Sequence, residues 1–145
     1  MTDSCQEITL GIDSRLHCVS LIGLAVRGIC SEHWPDKESA FCIELAVCEA
    51  VNNVIEHGYE NRPGNRVQVD LLITPRHLEV LVKDTGKSFD PASLSSGLEE
   101  PATCCTDLPL RGRGMNIISA IMDSWTYGQS PAGQNVLHMT KSFDS

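Results

Sequence analysis

Two short runs, 66–74 (RVQVDLLIT) and 77–84 (HLEVLVKD), alternate apolar and polar residues and are separated only by Pro75-Arg76. A period of two that survives across a two-residue gap predicts a β-hairpin with one buried face. Val67, Val69, Leu71 and Ile73 line that face on the first strand, and Leu78, Val80 and Val82 line it on the second. Such a face needs a cover, and the rest of the chain has to supply it.

Two candidate helices precede the hairpin. Leu16, Val19, Leu21, Ile22, Leu24, Val26 and Ile29 recur with helical density over 15–32, with Asp13 or Ser14 as candidate cap, and His33-Trp34-Pro35 ends the run. Asp36 can cap a second helix at 37–57, on which Phe41, Leu45, Cys48, Val51 and Ile55 form an apolar stripe. Residues 6–12 read as a first strand, 114–124 as a third helix, and 125–129 and 135–142 as two last strands around Pro131-Ala132-Gly133. The interval 86–113, rich in Gly, Pro, Ser and Thr, has no periodicity, as in a functional lid or a disordered loop. The order predicts a single α+β domain over 1–145. It is a two-layer sandwich, with helices on one face of a mixed, mostly antiparallel sheet.

Composition removes several classes. Hydrophobic residues at 41% and charged residues at 21% suit a globular chain. With 11 Lys and Arg against 19 Asp and Glu, the net charge of −8 argues against direct nucleic-acid binding. The most apolar segment, Cys18 to Val26, is too short to span a membrane. The acidic, polar first residues do not read as a secretory signal. The cysteines at 5, 18, 30, 42, 48, 104 and 105 contain no CxxC. They suggest a reducing cytoplasmic setting, with no disulfide framework and no zinc site. Cys104-Cys105 is the one pair to watch for oxidation, and Trp34 and Trp125 are too isolated for a stacking platform.

Three segments carry the chemistry. On the second helix, Glu49, Asn52, Asn53 and Glu56 fall at i, i+3, i+4 and i+7, a polar stripe beside the apolar one. Asn is a poor helix-interior residue, so the stripe is either a solvated face or a carboxylate and an amide oxygen arranged for a hard cation and a reacting hydroxyl. Asp84-Thr85-Gly86 closes a strand with an acidic acceptor suited to an exocyclic amine, although an ordinary turn would read the same. Arg111-Gly112-Arg113-Gly114-Met115 opens a helix with flexible backbone and two cations, the ingredients of a phosphate cradle or of a plain helix-entry loop. Gly86-Lys87-Ser88 is no P-loop, because position 81 is Leu81. Gly112-Arg113-Gly114 is no dinucleotide fingerprint, because position 117 is Ile117.

In this order the three segments resemble the N, G1 and G2 boxes of the Bergerat-fold ATPases, the superfamily of gyrase and sensor histidine kinases. The closest resemblance is to the bacterial anti-sigma factor serine kinases. It rests on Glu49-Ala50-Val51-Asn52-Asn53 with His57-Gly58-Tyr59, on Asp84-Thr85-Gly86, and on Gly112-Arg113-Gly114. The resemblance implies ATP and Mg²⁺ as cofactors, Glu49 as general base and Asn53 as Mg²⁺ ligand. It implies Asp84 on the adenine amine, Gly86 allowing close approach to the base, and Arg111, Gly112, Arg113, Gly114 and Met115 around the phosphates. Residues 88–111 would form the lid. His57 either helps position phosphates or only suits the end of its helix. The implied activity is sequestration of a sigma factor and phosphorylation of a serine on an anti-anti-sigma partner, by a cytoplasmic homodimer. The alternative is an ATP-gated binding module of the same fold without turnover. A histidine-kinase catalytic domain ranks below both, since the residues before the second helix hold only a strand and one helix. Lys87-Ser88 replaces the family's small residue and glycine, and if that position needs positive φ, Ser88 strains the hinge and weakens nucleotide binding.

Overall fold

The computed structural model describes residues 5–34, 36–91 and 114–143. Its elements run β1 (Gln6–Asp13), a 3-10 turn (Leu16–Cys18), α1 (Val19–His33), α2 (Lys37–Asn53), a π-helical turn (Val54–Gly58), β2 (Arg66–Thr74), β3 (His77–Asp84), α3 (Gly114–Ile121), β4 (Ser124–Gln129) and β5 (Asn135–Ser142). The strands form one sheet in the order β1-β2-β3-β5-β4. Every described ladder is antiparallel, so the expected sandwich stands with no parallel pair among the described strands.

The alternation in β2 and β3 does what it predicts. Val67, Val69, Leu71, Ile73, Leu78, Val80 and Val82 are all buried. The helices cover that face, with α2 packed between α1 and α3. Flanked on both sides and roofing the sheet, α2 turns its small residues inward. Ala40, Ile43, Ala46, Val47, Ala50 and Val51 are buried, whereas Leu45 and Cys48 sit at the margin and Phe41 is 36% exposed. The apolar stripe expected through Phe41, Leu45 and Cys48 is therefore rotated. Alanines face the core because they let neighbouring backbones approach, which bulky side chains prevent.

The same closeness explains Gly23 on α1. A Cβ there would lie 2.6 Å from Cys48 Sγ and 3.2 Å from two Glu44 side-chain atoms. Gly23→Ala will cost about 1–3 kcal/mol by forcing the two helices apart. Urea denaturation will read this loss, and Cys48→Ala in the same chain will recover part of it. An unchanged midpoint for the single variant would contradict the packing.

Asp36 caps α2 as its position predicts, accepting from Glu38 N at 3.0 Å and Ser39 Oγ at 2.7 Å. Asp13 and Ser14 do not cap α1, whose N-cap is Cys18 without a side-chain bond. They fasten the turn before β2 instead. Asp13 Oδ1 accepts from Gly64 N at 3.0 Å, and Ser14 Oγ accepts from Asn65 N at 3.2 Å. The backbone demand of that tight turn outcompetes the helix start. Trp34 pins the end of α1 to the hairpin: its Nε1 donates to Pro75 O at 3.0 Å, and its ring stacks on Phe143 at 4.0 Å.

On the sheet's other face Asp70 receives Lys83 Nζ at 2.7 Å, with Gln68 Nε2 and Thr9 Oγ1 each at 3.0 Å. Burial pushes the Asp70 carboxyl up, but these donors prevail and hold it below the usual range. Cys5, Cys18, Cys30 and Cys48 are free thiols. Cys104 and Cys105 lie outside the described residues. No helix among the described residues is long and apolar enough to cross a membrane.

Candidate functional site

The turn that ends α2 and the turn that follows β3 are laced together by backbone and side-chain bonds. The helix finishes in the π-helical turn Val54–Gly58, a local widening that often marks functional segments. Gly58 O, left free by the helix end, accepts from Lys87 N at 2.7 Å. Tyr59, 6% exposed, spans the junction: its Oη donates to Arg66 O at 2.8 Å and accepts from Thr85 N at 2.9 Å. The turn after β3 thus has its position dictated by the residues that follow Asn53.

Gly86 sits where the two backbones touch. A Cβ there would lie 2.6 Å from Gly58 O, 2.8 Å from Gly58 C and 2.9 Å from Tyr59 Cδ1. Its need for glycine comes from backbone contact within the protein, in addition to any approach of a ligand. Gly86→Ala will destabilise the fold by about 2–4 kcal/mol, because the obstructing atoms are backbone and cannot rotate away. Thermal melting tests this, and a loss under about 0.5 kcal/mol would contradict it.

Asp84 is 2% exposed, in phase with Leu78, Val80 and Val82 on the buried face of β3. Its Oδ1 accepts from Gly86 N at 2.8 Å and from Asn135 Nδ2 at 2.9 Å. Its Oδ2 is buried with no hydrogen-bond partner among the described residues. Burial pushes this carboxyl above its ordinary value, against the pull of the two donors. A buried acceptor without a donor is costly in an empty fold and suits a ligand that brings an N–H.

Asn53 is 8% exposed, and its Nδ2 lies 3.8 Å from Met115 Sδ at the start of α3. The amide nitrogen thus faces sulfur, leaving the carbonyl oxygen as the atom for a cation. Glu49, one turn earlier on the same helix, is half-buried. Glu44 Oε1 lies 3.4 Å from Arg27 Nη1. His57 is exposed, its ring 5.9 Å from that of Phe89, which in turn lies 5.1 Å from Tyr127. Gly114 opens α3 and Met115 is 1% exposed. Arg111, Gly112, Arg113 and lid residues 92–111 lie outside the described residues.

Ser88 corrects one expectation. Among the described residues the only non-glycine positions with positive φ are Glu60 and Asn61, so Ser88 has no left-handed strain to bear. It is engaged instead, its Oγ donating to Asn135 Oδ1 at 2.8 Å. Asn135, 1% exposed, was not among the residues singled out from sequence. The available signal was its phase with Leu137 and Met139 on the buried face of β5.

Residues 12–141 match the histidine kinase-like ATPase domain. The chain is 30% identical over 119 residues to serine-protein kinase RsbW of Listeria monocytogenes, covering 81% of this chain and 76% of that protein. It is 27% identical over 135 residues to anti-sigma F factor of Oceanobacillus iheyensis, covering 93% and 91%. Against anti-sigma F factor of Clostridium acetobutylicum the identity is 32% over 105 residues, covering 72% and 71%. A match that begins in β1 and ends in β5, on the fold and motif order just described, shows that this chain belongs to the histidine kinase-like ATPase family.

Proposed function

We propose that the chain is an ATP-dependent serine protein kinase of the anti-sigma type, binding a sigma factor and phosphorylating a serine on an anti-anti-sigma partner as a cytoplasmic homodimer. The observation that carries the reading is the buried Oδ2 of Asp84, without a donor among the described residues, at the end of a strand whose following turn is bonded to the π-helical turn that ends the Glu49–Asn53 helix. An adenine amine is the donor it fits. Similarity to proteins named serine-protein kinase and anti-sigma F factor supports the partner class.

No group of three or more His, Cys, Asp or Glu among the described residues is placed to hold a metal ion. That fits Mg²⁺, which takes few protein ligands beside phosphate oxygens and water. Asn53 Oδ1 would hold it, and the ion would supply neutralisation of phosphate charge. Glu49 accepts the serine hydroxyl proton, a role that suits a half-buried carboxylate within one turn of Asn53. Arg111 and Arg113 would offset phosphate charge, and Gly112, Arg113, Gly114 and Met115 would hold the phosphates.

Incubation with γ-labelled ATP, Mg²⁺ and the cognate antagonist tests the reading. Acid-stable phosphoserine on the antagonist is expected. Tight, nucleotide-dependent partner binding without phosphoserine would instead assign a binding module.

A further inference from the structure

We propose that Asn135 is a positioning residue for base recognition: it holds Asp84 so that one carboxylate oxygen is consumed and the other stays free for the base, and Ser88 and Gln129 hold Asn135 in turn. The inference rests on the nucleotide reading above and extends it to residues outside the motifs.

The strand register lines the three up. Asp84 pairs with Asn135 across β3 and β5, and Asn135 pairs with Gln129 across β5 and β4, so they form one cross-strand row. Directly opposed side chains share a face and meet. Both Asn135 amide hydrogens are used, one on Asp84 Oδ1 at 2.9 Å and one on Gly86 O at 2.9 Å. Its oxygen accepts from Ser88 Oγ at 2.8 Å and Gln129 Nε2 at 3.3 Å. Gln129 Nε2 also donates to Ser88 Oγ at 3.1 Å, closing the network.

An amide with all four of its hydrogen-bonding positions filled has one orientation. Turned over, it would set its oxygen against a carboxylate and a carbonyl, both acceptors, so the hydrogen-bond network fixes the orientation. Asp84 inherits that restraint. Rotating its carboxylate would surrender the bonds from Asn135 and Gly86 together. What remains is a single acceptor, Oδ2, matched to a purine bearing an amine at position 6 and opposed to one bearing a carbonyl there. A site built for a hydrogen bond discriminates strongly against an analogue that cannot make it.

ATP and inosine triphosphate, which differ at that position, provide the probe. Their affinities are measured by calorimetry for the wild type, Asn135→Leu and Asn135→Thr, with circular dichroism as the check on folding. The wild type should prefer ATP by at least about tenfold. Asn135→Leu, similar in size but without a donor, should lose most of that preference by weakening ATP alone. Asn135→Thr, which returns a hydroxyl donor on a strand-compatible side chain, should recover part of it. If Asn135→Leu weakens both nucleotides equally and keeps the ratio, the residue is merely structural and the proposal is overturned. Should that variant fail to fold, Ser88→Ala with Gln129→Ala removes the outer supports at exposed positions; a reduced ratio supports the proposal and an unchanged one overturns it. A wild type that binds neither nucleotide overturns the nucleotide reading itself, a result distinct from an unchanged ratio.

Discussion

Asp84→Asn will bind ATP at least tenfold more weakly than the wild type while folding as stably, or more so. The two halves of this expectation have the same origin. Oδ2 is buried with no donor among the described residues, and the carboxyl is pushed above its ordinary 3.8 by burial. A group whose folded pKa is raised contributes stability that is fully present below the unfolded value, and this is lost as pH rises through the folded value. At neutral pH the charged Asp84 is therefore a burden on the empty fold. An Asn can keep accepting from Gly86 N and Asn135 Nδ2 through its oxygen, and it sheds the buried charge. Its nitrogen then occupies the Oδ2 position and presents a donor to the adenine amine, also a donor. Binding falls for the reason that stability does not. Chemical denaturation across pH 4–7 with parallel ATP calorimetry checks both arms. In the wild type ATP affinity should climb with pH as stability declines relative to the variant, and in the variant both trends should flatten. Equal ATP binding by the two proteins would remove Asp84 from the site.

Glu49→Ala will lower phosphoryl transfer by about 10²–10⁴-fold, the usual range for a lost general base, with ATP affinity changed by less than about threefold. Glu49 is half-buried on the polar stripe of α2 one turn before Asn53, and Ala46, Val47, Ala50 and Val51 form the buried face of that helix. Single-turnover transfer to the antagonist, set beside nucleotide calorimetry, separates the two effects. Parallel loss of transfer and binding would give Glu49 a structural role.

Local signals in the sequence carried far into the fold. β2 and β3 occupy the predicted spans because their period of two coincides with a buried face and a two-residue turn. Asp36 caps where it stands for the same local reason. The departures arise where distant segments decide. Asp13 and Ser14 looked like caps, but the turn before β2 recruits them across some fifty residues of chain. Flanking helices, which periodicity cannot weigh, rotate α2 so that alanines face inward. Ser88 looked strained from the motif alone, yet its partners come from β4 and β5.

The candidate site divides the same way. Asp84, Asn53 and Gly86 were legible because each is a residue of the wrong type for its place: a carboxylate in phase with a buried face, an amide inside a helix, a glycine after a strand. The role of Tyr59, a residue of the motif, and the part played by Asn135 were not, since both lie in bonds to the turn at 84–88 that no spacing reveals. The phosphate side, through Arg111, Gly112 and Arg113, lies outside the described residues.

A crystal structure with a non-hydrolysable ATP analogue and Mg²⁺ tests the central claim most directly. The predicted result places the adenine amino nitrogen about 3 Å from Asp84 Oδ2, with the triphosphate running toward Asn53 and Met115. A purine bound elsewhere, or one whose amine points away from Asp84, would contradict it.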